Sequence, residues 1–259
     1  MYNHIFDMSR VADIHGFNNY EAMVLMDCFL RYIAPKNSLE IGTWDGKTSV
    51  IIANSTSDKF HFIECDKVHY DTTMKNVLER TNLTPAQVNG VLNLSYYTSF
   101  KQEYGKCMDF IHIDGAHSLE GVKYDLGISE TIMTHRGIIV LDDVFSATYP
   151  QITQGVYEFL SHHSEFCLLL VGLNKGVICY NSMYVEYADF ILDTLLDEMK
   201  RYPLLDTALF SICKTSGIAD SLTYGIIGQD PKYDTHRYRG NEFLNGNAIE
   251  RVLPDMTLN

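Results

Sequence analysis

The chain has few basic side chains. Among its 259 residues, 20 lysines and arginines stand against 33 aspartates and glutamates, for a formal net charge of −13 and a pI near 5.1. Binding a run of phosphates rests on Lys and Arg, so a DNA or RNA substrate is not expected. The six cysteines (Cys28, Cys65, Cys107, Cys167, Cys179 and Cys213) form no C-x-x-C pair and no metal-ligand spacing. They read as reduced core thiols. No stretch approaches the roughly 20 apolar residues that cross a bilayer. The start, MYNHIFDMSR, lacks an apolar run behind a basic segment, so no secretory signal is read there. A soluble cytoplasmic protein without membrane contact is the expectation. Repeats and low-complexity segments are also missing. A chain of this length can bury a substantial core, and α/β folds of this size often remain one domain.

Residues 38–49 (SLEIGTWDGKTS) organise the rest. They read as an apolar strand carrying Glu40, a tight loop with Gly42 and Gly46, and the start of a helix. Glycines let backbone approach a ligand, and the free N–H groups of the following helix face it. The spacing Glu40-x-Gly42-x-x-x-Gly46 differs from the G-x-G-x-x-G loop that seats a pyrophosphate. Such a loop suits a smaller, cationic ligand. The competing reading is a strand-turn-helix whose glycines only shape the connection.

Before this loop, residues 1–17 read as an irregular arm. Ala22, Leu25, Met26, Phe29, Leu30 and Ile33 then recur at helical spacing, and Pro35 closes that helix. After the loop, a strand from Phe60 to Ile63 ends in acids. Glu64 lies 22 residues beyond Gly42, the position from which an acid accepts hydrogen bonds from ribose hydroxyls in dinucleotide folds. Asp66 competes for that role, because alternation would point both acids the same way; both could instead be solvated acids opening a helix. A helix (70–80) and a short strand (VNGVLN) follow. Phe110 to Ile113 is a buried strand with Asp114 at its carboxyl end, where open α/β sheets bind ligands. A further strand, GIIVLDDV, ends in Asp142 and Asp143.

Strand, acidic end and helix recur five times, the pattern of a doubly wound, mostly parallel sheet. FCLLLVGL and GVICYN, joined by Asn174 and Lys175, read as a hairpin. From 182 to 259 the expectation is a helical and irregular extension, a candidate for homo-oligomer contacts. It holds a helix over Tyr187–Lys200, a break at Pro203, an apolar run Leu204–Cys213 and a tail with His236, Arg237 and Arg239.

The glycine loop resembles motif I of the class I S-adenosylmethionine-dependent methyltransferases. The run I-D-G-A-H-S-x-E-G-V followed by L-D-D resembles the small-molecule O-methyltransferases that include macrocin methyltransferase, with the cephalosporin hydroxylase-like group nearby. The resemblance spans about residues 18–181, taken as the cofactor-binding domain, and implies a Rossmann-like, seven-stranded sheet. It implies S-adenosylmethionine held by Glu40 (on the amino-acid ammonium), Gly42, Thr43, Gly46, Thr48, Glu64 or Asp66 (on the ribose), Ser95 (by the adenine) and Asp114. It also implies Mg²⁺ on Asp114, Asp142 and Asp143. One departure is Ala116, where the sugar-modifying members commonly carry a second acid.

The implied reaction moves a methyl group to a hydroxyl of a sugar, polyol or catechol-like acceptor, with Asp114 and His117 as the catalytic pair. His117 suits a general base because its ordinary pKa lies near 6.5; it can equally be a helix-start histidine satisfied by backbone. Ionising an aliphatic hydroxyl at pH 7 costs roughly 12 kcal/mol, of which a positioned base supplies ~3–5, so a cation on the oxygen would help. Adjacent strand residues point to opposite faces, so Asp142 and Asp143 can share one ion only if the strand has ended. His112, alternating with Ile111 and Ile113, reads as structural. The alternatives are an NAD-dependent oxidoreductase, which the missing third glycine disfavours, and a non-catalytic S-adenosylmethionine-binding protein.

Overall fold

The computed structural model describes residues 4–16, 19–208, 210–216 and 222–228. Four central strands are buried along most of their length: β1 (Asn37–Ile41), β2 (Lys59–Glu64), β4 (Met108–Ile113) and β5 (Met133–Asp142). They pair in parallel, with β3 (Val88–Leu92) on the outer side of β2. Strands buried on both faces need helices on both faces. These are α1 (Tyr20–Ile33), α2 (Lys47–Ser55), α3 (Lys67–Arg80), the short α4 (Phe100–Glu103), α5 (Leu119–Ile132) and α6 (Pro150–His162).

The helix starts are set by side chains that accept otherwise orphaned N–H groups. Asn19 caps α1 through the Ala22 amide at 2.7 Å, and Ser118 caps α5 through Gly121 at 3.2 Å. α1 ends where Ala34 turns left-handed (φ 50°) ahead of Pro35. α3 is longer than the helix expected over 70–80. Asp66 starts α3 at Lys67, and α6 begins at Pro150, a favoured first helical residue.

The sheet then turns antiparallel. β6 (Phe166–Gly172) and β7 (Lys175–Tyr180) form the expected hairpin, and β7 lies beside β5. Its turn residues are Leu173 and Asn174, with φ of 52° and 67°, rather than Asn174 and Lys175. Two successive left-handed residues match the twist of the strands they join, and Lys175 becomes the first residue of β7.

The extension corrects the expectation more substantially. α7 (Tyr184–Phe190) continues through a π-helical stretch, Ile191–Leu195, into α8 (Leu196–Lys200). Phe210–Ser216 (β8) and Leu222–Gly228 (β9) are strands, and β9 pairs in parallel with β6. Among the described residues the sheet therefore has nine strands in the order β3-β2-β1-β4-β5-β7-β6-β9-β8: the seven expected of residues 18–181, with two more added beyond β6 by the extension. Residues 182–208 also pack on α1: buried Arg31 bonds Asp27 at 2.7 Å and Glu198 at 2.5 Å, and the Tyr202 hydroxyl reaches Asp27. The basic knot His236, Arg237 and Arg239 lies outside the described residues. No described helix is long and apolar enough to cross a membrane.

Candidate active site

The carboxyl ends of β2, β1, β4 and β5 open into one cavity of about 930 Å³. The strand order sets the order of its lining. Glu64 and Ser95 stand on the β2 and β3 side, the glycine loop follows, then Asp114 and His117, then Asp142, Asp143 and Tyr149.

The loop after β1 is held tightly. Gly42 has φ 79°, and a Cβ there would sit 2.1 Å from the Asp114 carbonyl oxygen, so only glycine fits between β1 and the end of β4. Glu64, mostly buried, accepts the Thr43 and Trp44 amides at 2.9 and 3.0 Å on one oxygen. Its other oxygen takes the Cys65 and Asp66 amides at 2.8 and 3.0 Å. The strand-end acid thus ties the two loops together at the cavity wall. Asp66, also on the wall, caps α3 through Val68 and His69 at 2.7 and 3.2 Å, and these amides hold its carboxyl below the ordinary range. It is the helix-opening acid of the alternative reading. Ser95 lines the wall from a 3-10 turn, Ser95–Tyr97. Trp44, at φ 50°, stacks on His69 (4.1 Å) and donates its indole N–H to His15 at 2.9 Å. That contact brings the N-terminal arm to the cavity rim.

Glu40 does not reach the cavity. It is wholly buried beneath the floor, where its oxygens take the Thr48 hydroxyl at 2.5 Å, the Ser49 hydroxyl and His112 Nδ1 at 2.8 Å. A direct contact with a ligand ammonium is therefore replaced by a structural role. Thr48 borders the cavity but gives its hydroxyl to Glu40. Gly46 (φ 81°) opens α2, and a Cβ there would approach the Thr73 Cα at 3.0 Å.

At the other end the three acids separate. β5 stops at Asp142, and Asp143 turns left-handed at φ 58°, so the strand has ended as a shared site would require. Asp142 is nevertheless engaged elsewhere. Its Oδ2 receives buried Lys175 Nζ at 2.7 Å, and its Oδ1 receives Asn174 Nδ2 at 2.9 Å and the Asp143 amide at 3.0 Å. Burial would raise its pKa, but the Lys175 ammonium outweighs that and holds it low. The donors that converge are instead Asp114, Asp143 and His117, each offering one atom within 4.8 Å of the others. His117 Nε2 lies 3.7 Å from Asp114 and 3.5 Å from Asp143, is buried, and has no hydrogen-bond partner. The Asp114 carboxylate beside it raises the His117 pKa, and burial raises that of Asp114. Tyr149 stacks on the His117 ring at 4.0 Å.

Residues 39–144 match the family model of a methyltransferase domain. The match spans about two-fifths of the chain. Two solved structures share its fold. The O-methyltransferase from Bacillus cereus in complex with SAH has 20% identity and a TM-score of 0.51 over 66% of this chain and 83% of that one. A protein from Corynebacterium glutamicum has 12% identity and a TM-score of 0.53 over 69% and 92%. No curated protein matches. The chain thus has the Rossmann-like α/β fold of these solved structures, as the glycine loop and the D-G-A-H run led us to expect.

Lys175, Asn174, Tyr149 and Trp44 were not recognisable as site residues in the sequence. The first two looked like turn residues. Tyr149 and Trp44 offered only their aromatic character, without a motif to place them at the cavity.

Proposed function

We propose that the chain transfers the methyl group of S-adenosylmethionine to a hydroxyl oxygen of a small molecule. One observation carries this: a single cavity joins the glycine loop and Glu64 to Asp114, His117 and Asp143. The cradle fits the cofactor. Gly42 seats the loop against the end of β4, and Glu64 and Ser95 line the cavity on the side read here as the ribose and adenine end. S-adenosylmethionine, when bound, supplies an electrophilic methyl on a sulfonium.

The residues at the acceptor end then hold and move one proton. His117 Nε2 accepts the proton of the acceptor hydroxyl as the oxygen attacks, and Asp114 and Asp143 stabilise the imidazolium that forms. Tyr149 covers the ring face and keeps water from it. This differs from the sequence-based expectation, in which Asp142 shares a metal ion.

The convergence of Asp114, Asp143 and His117 favours a second reading in which these three hold a divalent cation. Such an ion would act as a Lewis acid on the acceptor oxygen. Two carboxylates with one imidazole suit Mn²⁺ or Fe²⁺ at least as well as Mg²⁺. Turnover of S-adenosylmethionine over a panel of sugars, polyols and catechols, with and without chelator, tests both. Activity that survives chelator and disappears in His117→Ala supports the base; activity that chelator abolishes and Mn²⁺ or Mg²⁺ restores supports the ion. No cofactor binding at high micromolar concentration in calorimetry would end both readings.

A further inference from the structure

The acid pair that closes β5 is arranged from outside its own strand. Asn174, at the turn of the β6–β7 hairpin, gives its side-chain nitrogen to Asp142 Oδ1 and to Asp143 Oδ1, each at 2.9 Å. Its own carbonyl accepts the Asp143 amide at 2.9 Å. A primary amide carries two N–H groups on one nitrogen, and here each carboxylate receives one. The remaining oxygens are thereby assigned. Asp142 Oδ2 goes to Lys175 at 2.7 Å, and Asp143 Oδ2 faces His117 Nε2 at 3.5 Å.

The backbone supports the same division. Asn174 sits at φ 67° and Asp143 at φ 58°, in the left-handed region that Asn and Asp enter more readily than other residues with side chains. The turn needs a left-handed residue at 174; it does not need an amide. Glycine would serve the turn equally well. The amide side chain is therefore explained by what it holds.

We propose that Asn174 is a positioning residue of the acceptor end. Its amide bridges two adjacent carboxylates that would otherwise repel one another, assigns Asp142 to Lys175, and leaves one Asp143 oxygen directed at His117. The functional consequence rests on the reading of this end as the place where the acceptor hydroxyl binds. The positioning itself does not.

The test uses the full chain as wild type, Asn174→Gly and Asn174→Asp. Asn174→Gly keeps the turn, so the chain should still unfold in one cooperative transition, at a lower temperature than wild type, and its affinity for S-adenosylhomocysteine should stay within about twofold. In its crystal structure the Asp143 carboxylate should have left its wild-type position. Turnover of an acceptor found in the panel should fall at least tenfold in kcat, without a matching change in cofactor affinity. Asn174→Asp adds a third carboxylate and should fall further; it also retains the left-handed preference if the glycine variant folds poorly. Asp142 and Asp143 superimposing on wild type in Asn174→Gly would overturn the proposal, as would unchanged kcat. Should wild type methylate nothing in the panel, the functional reading fails, while the crystal comparison still decides the role of Asn174.

Discussion

Lys175→Met removes a cation that the surroundings cannot replace. Lys175 is 1% exposed; its ammonium lies 2.7 Å from Asp142 Oδ2 and 3.2 Å from His112 Nε2. At an effective dielectric near 20, a unit pair at that separation attracts by about 6 kcal/mol. Desolvation offsets much of this, but removing one partner of a buried pair still costs about 3–5 kcal/mol because the other charge stays behind. With total stability on the order of 5–15 kcal/mol, the loss should be large. For a urea slope of ~3 kcal/mol/M, the unfolding midpoint should fall by about 1–1.7 M. The double variant Asp142→Asn/Lys175→Met removes both charges and should recover more than half of that loss, since a neutral pair carries no uncompensated charge. Equilibrium unfolding of the four proteins of the cycle measures the coupling. A midpoint for Lys175→Met within 0.2 M of wild type, taken as about the resolution of such curves, would refute the reasoning. A double variant less stable than Lys175→Met would do the same.

Three further outcomes follow from individual residues. His61, buried on β2 beside Asn89 and Tyr104, has its pKa pushed down to about 4 by burial and then by Lys59. The unfolded chain therefore binds the extra proton first, and stability should fall by about 3 kcal/mol as pH drops from 6.5 to 4. His61→Gln should flatten that slope in urea titrations, and an unchanged slope would place the acid sensitivity elsewhere. Asp125, buried on α5, is raised to about 6 by burial, which outweighs the opposing contact with Ser95. Its folded form keeps a proton that the unfolded form releases, so it lowers stability as pH rises from about 4 to 6. Asp125→Asn should therefore gain up to ~3 kcal/mol at pH 8 and lose that advantage below pH 4; equal melting shifts at both pH values would sink the argument. Gly42→Ala would drive a Cβ to 2.1 Å from the Asp114 carbonyl at φ 79°, so it should cost ~1–3 kcal/mol and weaken S-adenosylhomocysteine binding at least tenfold by calorimetry. Intact binding would mean that the loop has another way to settle.

The parts of the fold that could be read beforehand are those whose causes are local. The glycine loop, the first helix closed by Pro35 and the strand that ends at Asp114 are set by neighbouring residues, and the structure places them within a few residues of expectation. β8 and β9 have no such local signature. Leu222–Gly228 becomes a strand because β6 offers it an edge, and that edge exists only once the hairpin is in place. The site divides in the same way. Asp114, His117 and Asp143 were visible as carboxylates and a histidine at strand ends. Which acid would be withdrawn depended on Lys175 and Asn174 arriving from about 30 residues further along, and spacing in the sequence does not encode that pairing.

Glu40 and Asp142 depart from expectation for one shared reason: they are joined by a single buried chain. Thr48 and Ser49 donate to Glu40, His112 Nδ1 contacts Glu40, His112 Nε2 contacts Lys175, and Lys175 donates to Asp142. An ammonium has only donors, so His112 Nε2 must accept, and its proton sits on Nδ1 and goes to Glu40. Every link is then assigned without choice. The chain runs beneath the cavity floor from α2 and β1 through β4 to β7 and β5, and each of its members is at least nine-tenths buried. A half-satisfied network at that depth would be costly, whereas a fully satisfied one specifies a single arrangement. A one-residue slip of β4 against β1 would turn His112 to the opposite face and strand both Glu40 and Lys175. The acid of the glycine motif and the first acid of the D-D pair thus hold the central strands in register, which leaves Asp114, His117 and Asp143 as the groups facing the cavity.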